Sequence, residues 1–292
     1  MATRIPHLLE PYLTVPPESS HTLLTSVLGA STNWLVLRYL YSYLQKPAST
    51  AAEDGTGETP NINVVLVSFV RDFAFWKEGA GRLGLDLESL ARAGRFSFVD
   101  GLTSLFTPPN PRDSPRKGYR ALRSAKHGDI RRELFAALAD ITATEGGTSK
   151  TILIVDQPDF LLAATSDLLP SNNTLGEELS NGAALRNLLL DVQDQVYASI
   201  FTVSADEPLI SAQNTKLEKE NTTLVLSLAH SAHKLVSLRL LDTGSASDVS
   251  GVIRVTHGGG EAEEHHDVDD GELLYFVGTD GSVKVFHRGQ SS

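Results

Sequence analysis

The sequence predicts an α/β fold: a mostly parallel sheet with helices on both faces and antiparallel hairpins at its C-terminal end. Two observations predict it. From residue 21 to residue 233, short apolar runs alternate with helical patterns, as strand–helix–strand units require. From Lys234 the texture changes to adjacent β-rich runs, HKLVSLRLLD, SGVIRVTHGG and GELLYFVGTDGSVKVFHRG, with a hairpin signal at Thr279-Asp280-Gly281. No internal repeat or linker interrupts the pattern. Residues 1–292 therefore read as one domain, with 1–20 an N-terminal extension and 104–127 and 259–272 mobile loops.

The elements follow in order. HTLLTSVL (21–28) is an apolar strand, and Asn33 to Leu44 is a helix whose Trp34, Leu35, Leu37, Tyr41 and Leu44 recur at helical spacing. Residues 46–61 are a surface loop by composition. Asn63–Val70 is a buried strand rich in β-branched residues. Asp72 caps a helix, a second helix over 86–94 closes on Gly94, and Phe96–Val99 is the next strand. Ile130–Thr142 is helical, and Lys150–Val155 is the most apolar strand of parallel type. After a loop to Gly182 come a helix over Leu185–Val196, a strand over Ser199–Ser204 and a helix over Leu217–His233.

Composition excludes several classes. The chain has no cysteine, which removes disulfide frameworks, thiolate metal sites and cysteine nucleophiles together. No apolar run is long enough to span a membrane, and MATRIPHLLEPYL has no signal-peptide core. Net charge is −11, yet eight cations (Arg112, Arg116, Lys117, Arg120, Arg123, Lys126, Arg131 and Arg132) face only Asp113 and Asp129 between residues 112 and 132. That local balance of +6 leaves the rest of the chain at −17. Such asymmetry marks either an anionic partner or a solvated loop running into a charged helix face.

The strand–turn–helix over 21–44 is the layout of a phosphate-binding loop, in which backbone N–H groups and a helix N-terminus face phosphate. The turn, Gly29-Ala30-Ser31-Thr32-Asn33, departs from G-x-x-x-x-G-K-[ST]. Its second glycine is absent, and no lysine occurs between Met1 and Gln45. Asp156 ends a buried apolar strand, where nucleotide hydrolases keep the acid that orients a magnesium-bound water. Together these features fit a nucleotide-hydrolase-type sheet without the point charge that hydrolysis needs on the β/γ-phosphates.

Other motifs are weaker. Asp242-Thr243-Gly244-Ser245 spells an aspartic-protease motif, but no second copy supplies the partner carboxylate, so it reads as a turn. EAEEHHDVDDGE (261–272) reads as a solvated hairpin excursion rather than a metal site, and His230 and His233 as helix-end or surface residues. The chain has no G-x-S-x-G or H-E-x-x-H, and its one G-x-G-x-x-G spelling, at 79–84, falls at the end of the helix that Asp72 caps rather than at a strand-to-helix turn, so it is not a dinucleotide-binding loop.

Four segments carry a resemblance: SFVRDFAFWKEGAGRLGLDLESLARAGRFSFVDGLTSLF (68–106), TILIVDQPDFLLAA (151–164), VSLRLLDTGSASDVSGVIRVTHGG (236–259) and ELLYFVGTDGSVKVFHRG (272–289). They resemble the fungal Elongator protein six family over nearly the whole chain. The resemblance implies a RecA-like fold with a degenerate phosphate loop, and a hetero-hexameric ring with Elongator proteins four and five. That ring docks on the catalytic Elongator core, binds tRNA and supports carbon-five modification of the wobble uridine. The chain would be an accessory subunit and not an enzyme, in the cytoplasm with the nucleus as a second location. ATP and magnesium at ring interfaces are the open cofactor question, and an active hydrolase with a non-standard loop is the alternative. The resemblance puts Gly29, Ser31 and Thr32 at the phosphate-loop position and Asp156 at the position of the magnesium-orienting acid. It also makes 157–181 and 205–216 the channel-facing loops. Since Lys216 is their only cation, the 112–132 stretch is the candidate for electrostatic, sequence-tolerant contact with tRNA.

Overall fold

The computed structural model describes residues 5–45, 61–107, 116–142, 149–165, 181–242, 244, 246, 248–260 and 270–289. A 3-10 helix (His7–Tyr12) leads into β1 (Ser20–Ser26) and α1 (Asn33–Leu44). Then follow β2 (Asn61–Ser68), α2 (Phe73–Arg82), α3 (Leu87–Arg92), β3 (Phe96–Asp100), α4 (Thr103–Phe106) and β4 (Tyr119–Ala121). The second half runs α5 (His127–Thr142), β5 (Ser149–Asp156), α6 (Asp159–Thr165), α7 (Asn181–Gln193), β6 (Ala198–Ser204), α8 (Glu207–Ser211) and α9 (Lys216–Ser231). It ends with β7 (Lys234–Arg239), β8 (Gly251–His257), β9 (Gly271–Val277) and β10 (Val283–Phe286).

The ten strands among the described residues form one sheet in the order β10-β9-β8-β7-β1-β6-β5-β2-β3-β4. Pairing is parallel from β7 to β4 and antiparallel from β7 to β10. β7 therefore belongs to both halves. The sequence grouped it with the hairpins because no helix follows it, yet α9 returns it beside β1 as the last parallel strand.

Period-two alternation splits the central strands between two cores. Leu24, Val64, Leu66, Ile152, Ile154 and Ile200 face a core shared with α1, α2, α3 and the C-terminal strands. Leu23, Val65, Val67, Leu153, Val155 and Phe201 face the other core, with α5, α6, α7 and α9. Both faces being covered explains why these strands read as unbroken apolar runs.

Local signals set the helix starts. Asp72 accepts the Phe75 N–H at 2.9 Å, Asp86 accepts the Glu88 and Ser89 N–H groups, and Thr215 with Glu218 makes a capping box. The N-terminal segment packs on α1: Leu9 and Leu13 are buried, and Tyr39, Ser42 and Tyr43 hydroxyls donate to the carbonyls of Tyr12, Leu13 and Thr14.

Five elements lay outside the sequence reading. The 3-10 helix falls in the stretch read as an extension, β4 falls inside the stretch 104–127, where proline and arginine content suggested a loop, and α4, α6 and α8 are short helices just after strands. Among the described residues, no helix is long and apolar enough to cross a membrane. Asn221, which begins an Asn-Thr-Thr glycosylation sequon, is buried in α9.

Candidate functional site at the carboxyl rim of the sheet

Parallel strands put their carboxyl ends on one rim, and this is where α/β sheets place ligands. In sheet order the rim carries Leu240 after β7, residues 27–32 after β1, Asp206 after β6, Asp156 and Asp159 around the end of β5, and Arg71 after β2.

The loop from β1 to α1 is a tight turn. The Ala30 N–H donates to the Val27 carbonyl at 2.9 Å, and Val27 and Ala30 pair as an antiparallel bridge. Gly29 adopts φ +92°, a conformation that favours glycine, and a Cβ there would lie 3.4 Å from the Leu240 side chain. The Leu28 side chain is 87% exposed, while its N–H donates to the Asp206 carboxylate at 2.7 Å. The Ser31 hydroxyl oxygen accepts the Asn33 N–H at 3.2 Å. The Thr32 carbonyl accepts the first helical N–H groups, from Leu35 and Val36. Its hydroxyl is buried without a hydrogen-bond partner among the described residues.

Asp156 lies one strand away, because β6 separates β5 from β1. Its carboxylate accepts the Ser68 hydroxyl of β2 at 2.8 Å and the Thr202 hydroxyl of β6 at 3.0 Å, so it ties three strands together. Burial pushes its carboxyl up, and the two hydroxyls and the Arg71 charge act against that. Asp159, three residues on, accepts the Ser204 N–H at 3.1 Å, and burial raises its carboxyl to about 6.

Gly29, Ser31 and Thr32 thus share one turn, and Asp156 stands across β6 from it. Asp159 and Asp206 were missed by the sequence reading. Asp206 was detectable, since Asp206-Glu207-Pro208 is a helix-start signature just beyond a strand. Its carboxylate makes no cap bond to its own helix and reaches across to Leu28 instead.

The basic stretch does not converge on one patch. Arg112 lies outside the described residues. Arg116 and Lys117 precede β4, Arg120 lies in it, Arg123 and Lys126 follow it toward the carboxyl rim, and Arg131 and Arg132 ride on α5. Arg120 pairs with Glu133 and Asp140, Arg131 with Asp191, and Arg132 with Asp129 and Glu133. The Lys117 ammonium donates to the Arg92 carbonyl at 2.9 Å. Arg116, Arg123 and Lys126 carry no ion pair among the described residues.

The remaining motifs resolve simply. Gly244 donates its N–H to the Leu241 carbonyl, a turn, and Asp242 pairs with Arg239. His265 and His266 lie outside the described residues. His233 accepts the His21 N–H at 3.1 Å through Nδ1.

The architecture is that of a RecA-like protein. Among solved structures, a KaiC-like protein from the archaeon Pyrococcus horikoshii OT3 superposes with a TM-score of 0.54 at 16% identity, covering 98% of this chain and 97% of that one. No family model matches the chain. A curated relative from the fission yeast Schizosaccharomyces pombe, described as an Elongator complex protein 6 homolog, is 24% identical over 287 residues, covering 94% of each chain.

Proposed function

We propose that this chain is a non-hydrolysing RecA-like subunit of an Elongator complex. In this reading it forms a hetero-hexameric ring with Elongator proteins four and five and supports tRNA wobble-uridine modification. The fission-yeast relative, collinear over 94% of both chains, supports the Elongator assignment. One observation carries the loss of turnover: the Asp206 carboxylate accepts the Leu28 N–H at 2.7 Å.

In a working phosphate loop the backbone amides point at the ligand, and a lysine neutralises it. Here an internal anion accepts one amide, the Ala30 and Asn33 amides bond locally, and no lysine is present. A phosphate at this turn would meet the Asp206 carboxylate where a working loop offers a free amide and a lysine. The residues of this chain's own loop do not fit a nucleotide polyphosphate, and the loop is a degenerate one that turns the chain.

A second reading, an active hydrolase with a non-standard loop, is favoured by the buried Thr32 hydroxyl, which has no partner among the described residues, and by Asp156 at its strand end. ATP turnover by the assembled ring separates the two. Asp156→Asn leaves the rate unchanged if the chain is architectural. Loss of turnover with the ring intact identifies the hydrolase.

A further inference from the structure

The opposite end of the β3–β4 edge carries a cleft of about 350 Å³, far from the phosphate-loop turn. It exists because β4 is short. β4 begins opposite Phe98, so Phe96 and Ser97 of β3 extend beyond its start with no partner strand on that side. Gly118 makes the junction possible. Its φ is +73°, and a Cβ there would sit 2.8 Å from the Ala91 Cβ and 2.9 Å from the Phe96 carbonyl oxygen. The close approach holds the exposed Arg116 and Lys117 at the cleft's wall.

Two features of this cleft point to a ligand. Ser97 lines it and is only 1% exposed, yet its hydroxyl has no hydrogen-bond partner among the described residues. A buried hydroxyl left unsatisfied is costly, and such groups are normally paired. The charge of the wall is also uneven. Asp140 is paired at 2.9 Å with Arg120, which it shares with Glu133, while Arg116 carries no ion pair among the described residues. What remains is the exposed Arg116 guanidinium, the Lys117 ammonium, which also meets the Arg92 carbonyl, and the orphaned Ser97 hydroxyl buried in the wall, among apolar residues that include Phe96 and Ile141.

We infer that this cleft seats a phosphate group, with the Arg116 guanidinium as a two-pronged donor and the Ser97 hydroxyl as a neutral one. The seat lies on the β3–β4 edge of the sheet, several strands from the phosphate-loop turn. The phosphate could arrive on a small ester or in a nucleic-acid backbone, and the recognition chemistry is the same for both.

Isothermal titration of the full chain with phenyl phosphate tests the inference. Saturable one-site binding is expected, weakened about tenfold or more in Arg116→Gln and several-fold in Ser97→Ala. Arg116 is exposed, so an unchanged melting temperature certifies the fold of that variant. Absence of saturable binding by the wild type, or superimposable isotherms for wild type and Arg116→Gln, overturns the inference. A parallel gel-shift with tRNA identifies the source: weakening of both ligands in Arg116→Gln assigns a backbone phosphate, and weakening of phenyl phosphate alone a small ester.

Discussion

The carboxylate of Asp206, at the end of β6, accepts the backbone N–H of Leu28, in the turn after β1, at 2.7 Å. This bond links the ends of β1 and β6 across the carboxyl rim of the sheet. It also makes the turn a fastener between β1 and β6.

Asp206→Ala tests the fastener. The bond is charge-assisted but partly solvated, so its loss costs about 1 kcal/mol and lowers the melting temperature by a few degrees. ATP is expected to leave the melting temperature of both proteins unchanged, because binding to the folded state alone would raise it. Stabilisation of the variant by ATP would mean that the carboxylate merely blocks a competent loop.

Asp156 is predicted to act as a sheet tie. Asp156→Ala strands two buried hydroxyls, Ser68 and Thr202, and costs about 2–4 kcal/mol in denaturant unfolding. Burial already disfavours its charged form, so Asp156→Asn costs clearly less. Equal losses in the two variants would show that charge, rather than the two acceptor positions, matters.

Arg38 lies on α1, only 2% exposed, and its Nη2 donates to the Gly281 carbonyl at 3.0 Å, pinning the β9–β10 hairpin. Arg38→Ala opens a cavity and unties that carbonyl, costing about 2–4 kcal/mol. Hydrogen exchange is expected to rise first in β9 and β10. Uniform loss of protection across the sheet would assign Arg38 to the global core instead.

His21 gives a pH prediction. Burial, helped by His233 and opposed by the bond to Ser199, lowers its imidazole from 6.5 to about 3. Between those values the unfolded chain binds the proton and the folded one does not, so stability falls as pH drops from about 6.5 toward 3. Asp159 works the other way: its carboxyl, raised to about 6, makes the folded state the better proton binder, so its contribution falls as pH rises toward 6. The His21 share is therefore read as a difference. Unfolding free energies of wild type and His21→Leu should converge as pH falls through that window and run parallel above it.

The fold was legible where physics is local. The strands around Leu23, Val65, Leu153 and Phe201 announced themselves as apolar runs, and the caps at Asp72 and Asp86 as helix starts. β4 was not, because three residues beside a proline- and arginine-rich stretch have no period to detect; only pairing with Phe98–Asp100 defines it. The turn at Gly29 and the strand end at Asp156 were legible as positions. That Asp206 would occupy the turn was not, since the two residues meet only once β6 lies beside β1.

The basic stretch shows the same limit, because ion pairing is a property of the folded edge. Charge reversal at Arg116, Arg123 and Lys126 is predicted to weaken tRNA binding by the ring and to reduce its salt slope by about 0.7–0.9 per lost phosphate contact. Reversal at Arg120, Arg131 and Arg132, already paired with acids, should leave the salt slope unchanged. Equal effects from both sets would contradict the partition.

Native mass spectrometry of this chain co-expressed with Elongator proteins four and five tests the central claim most directly. The account predicts a hetero-hexamer containing this chain that forms without added nucleotide. A chain that remains outside every assembly with those partners, or that enters one only when ATP is bound to its own loop, would contradict it.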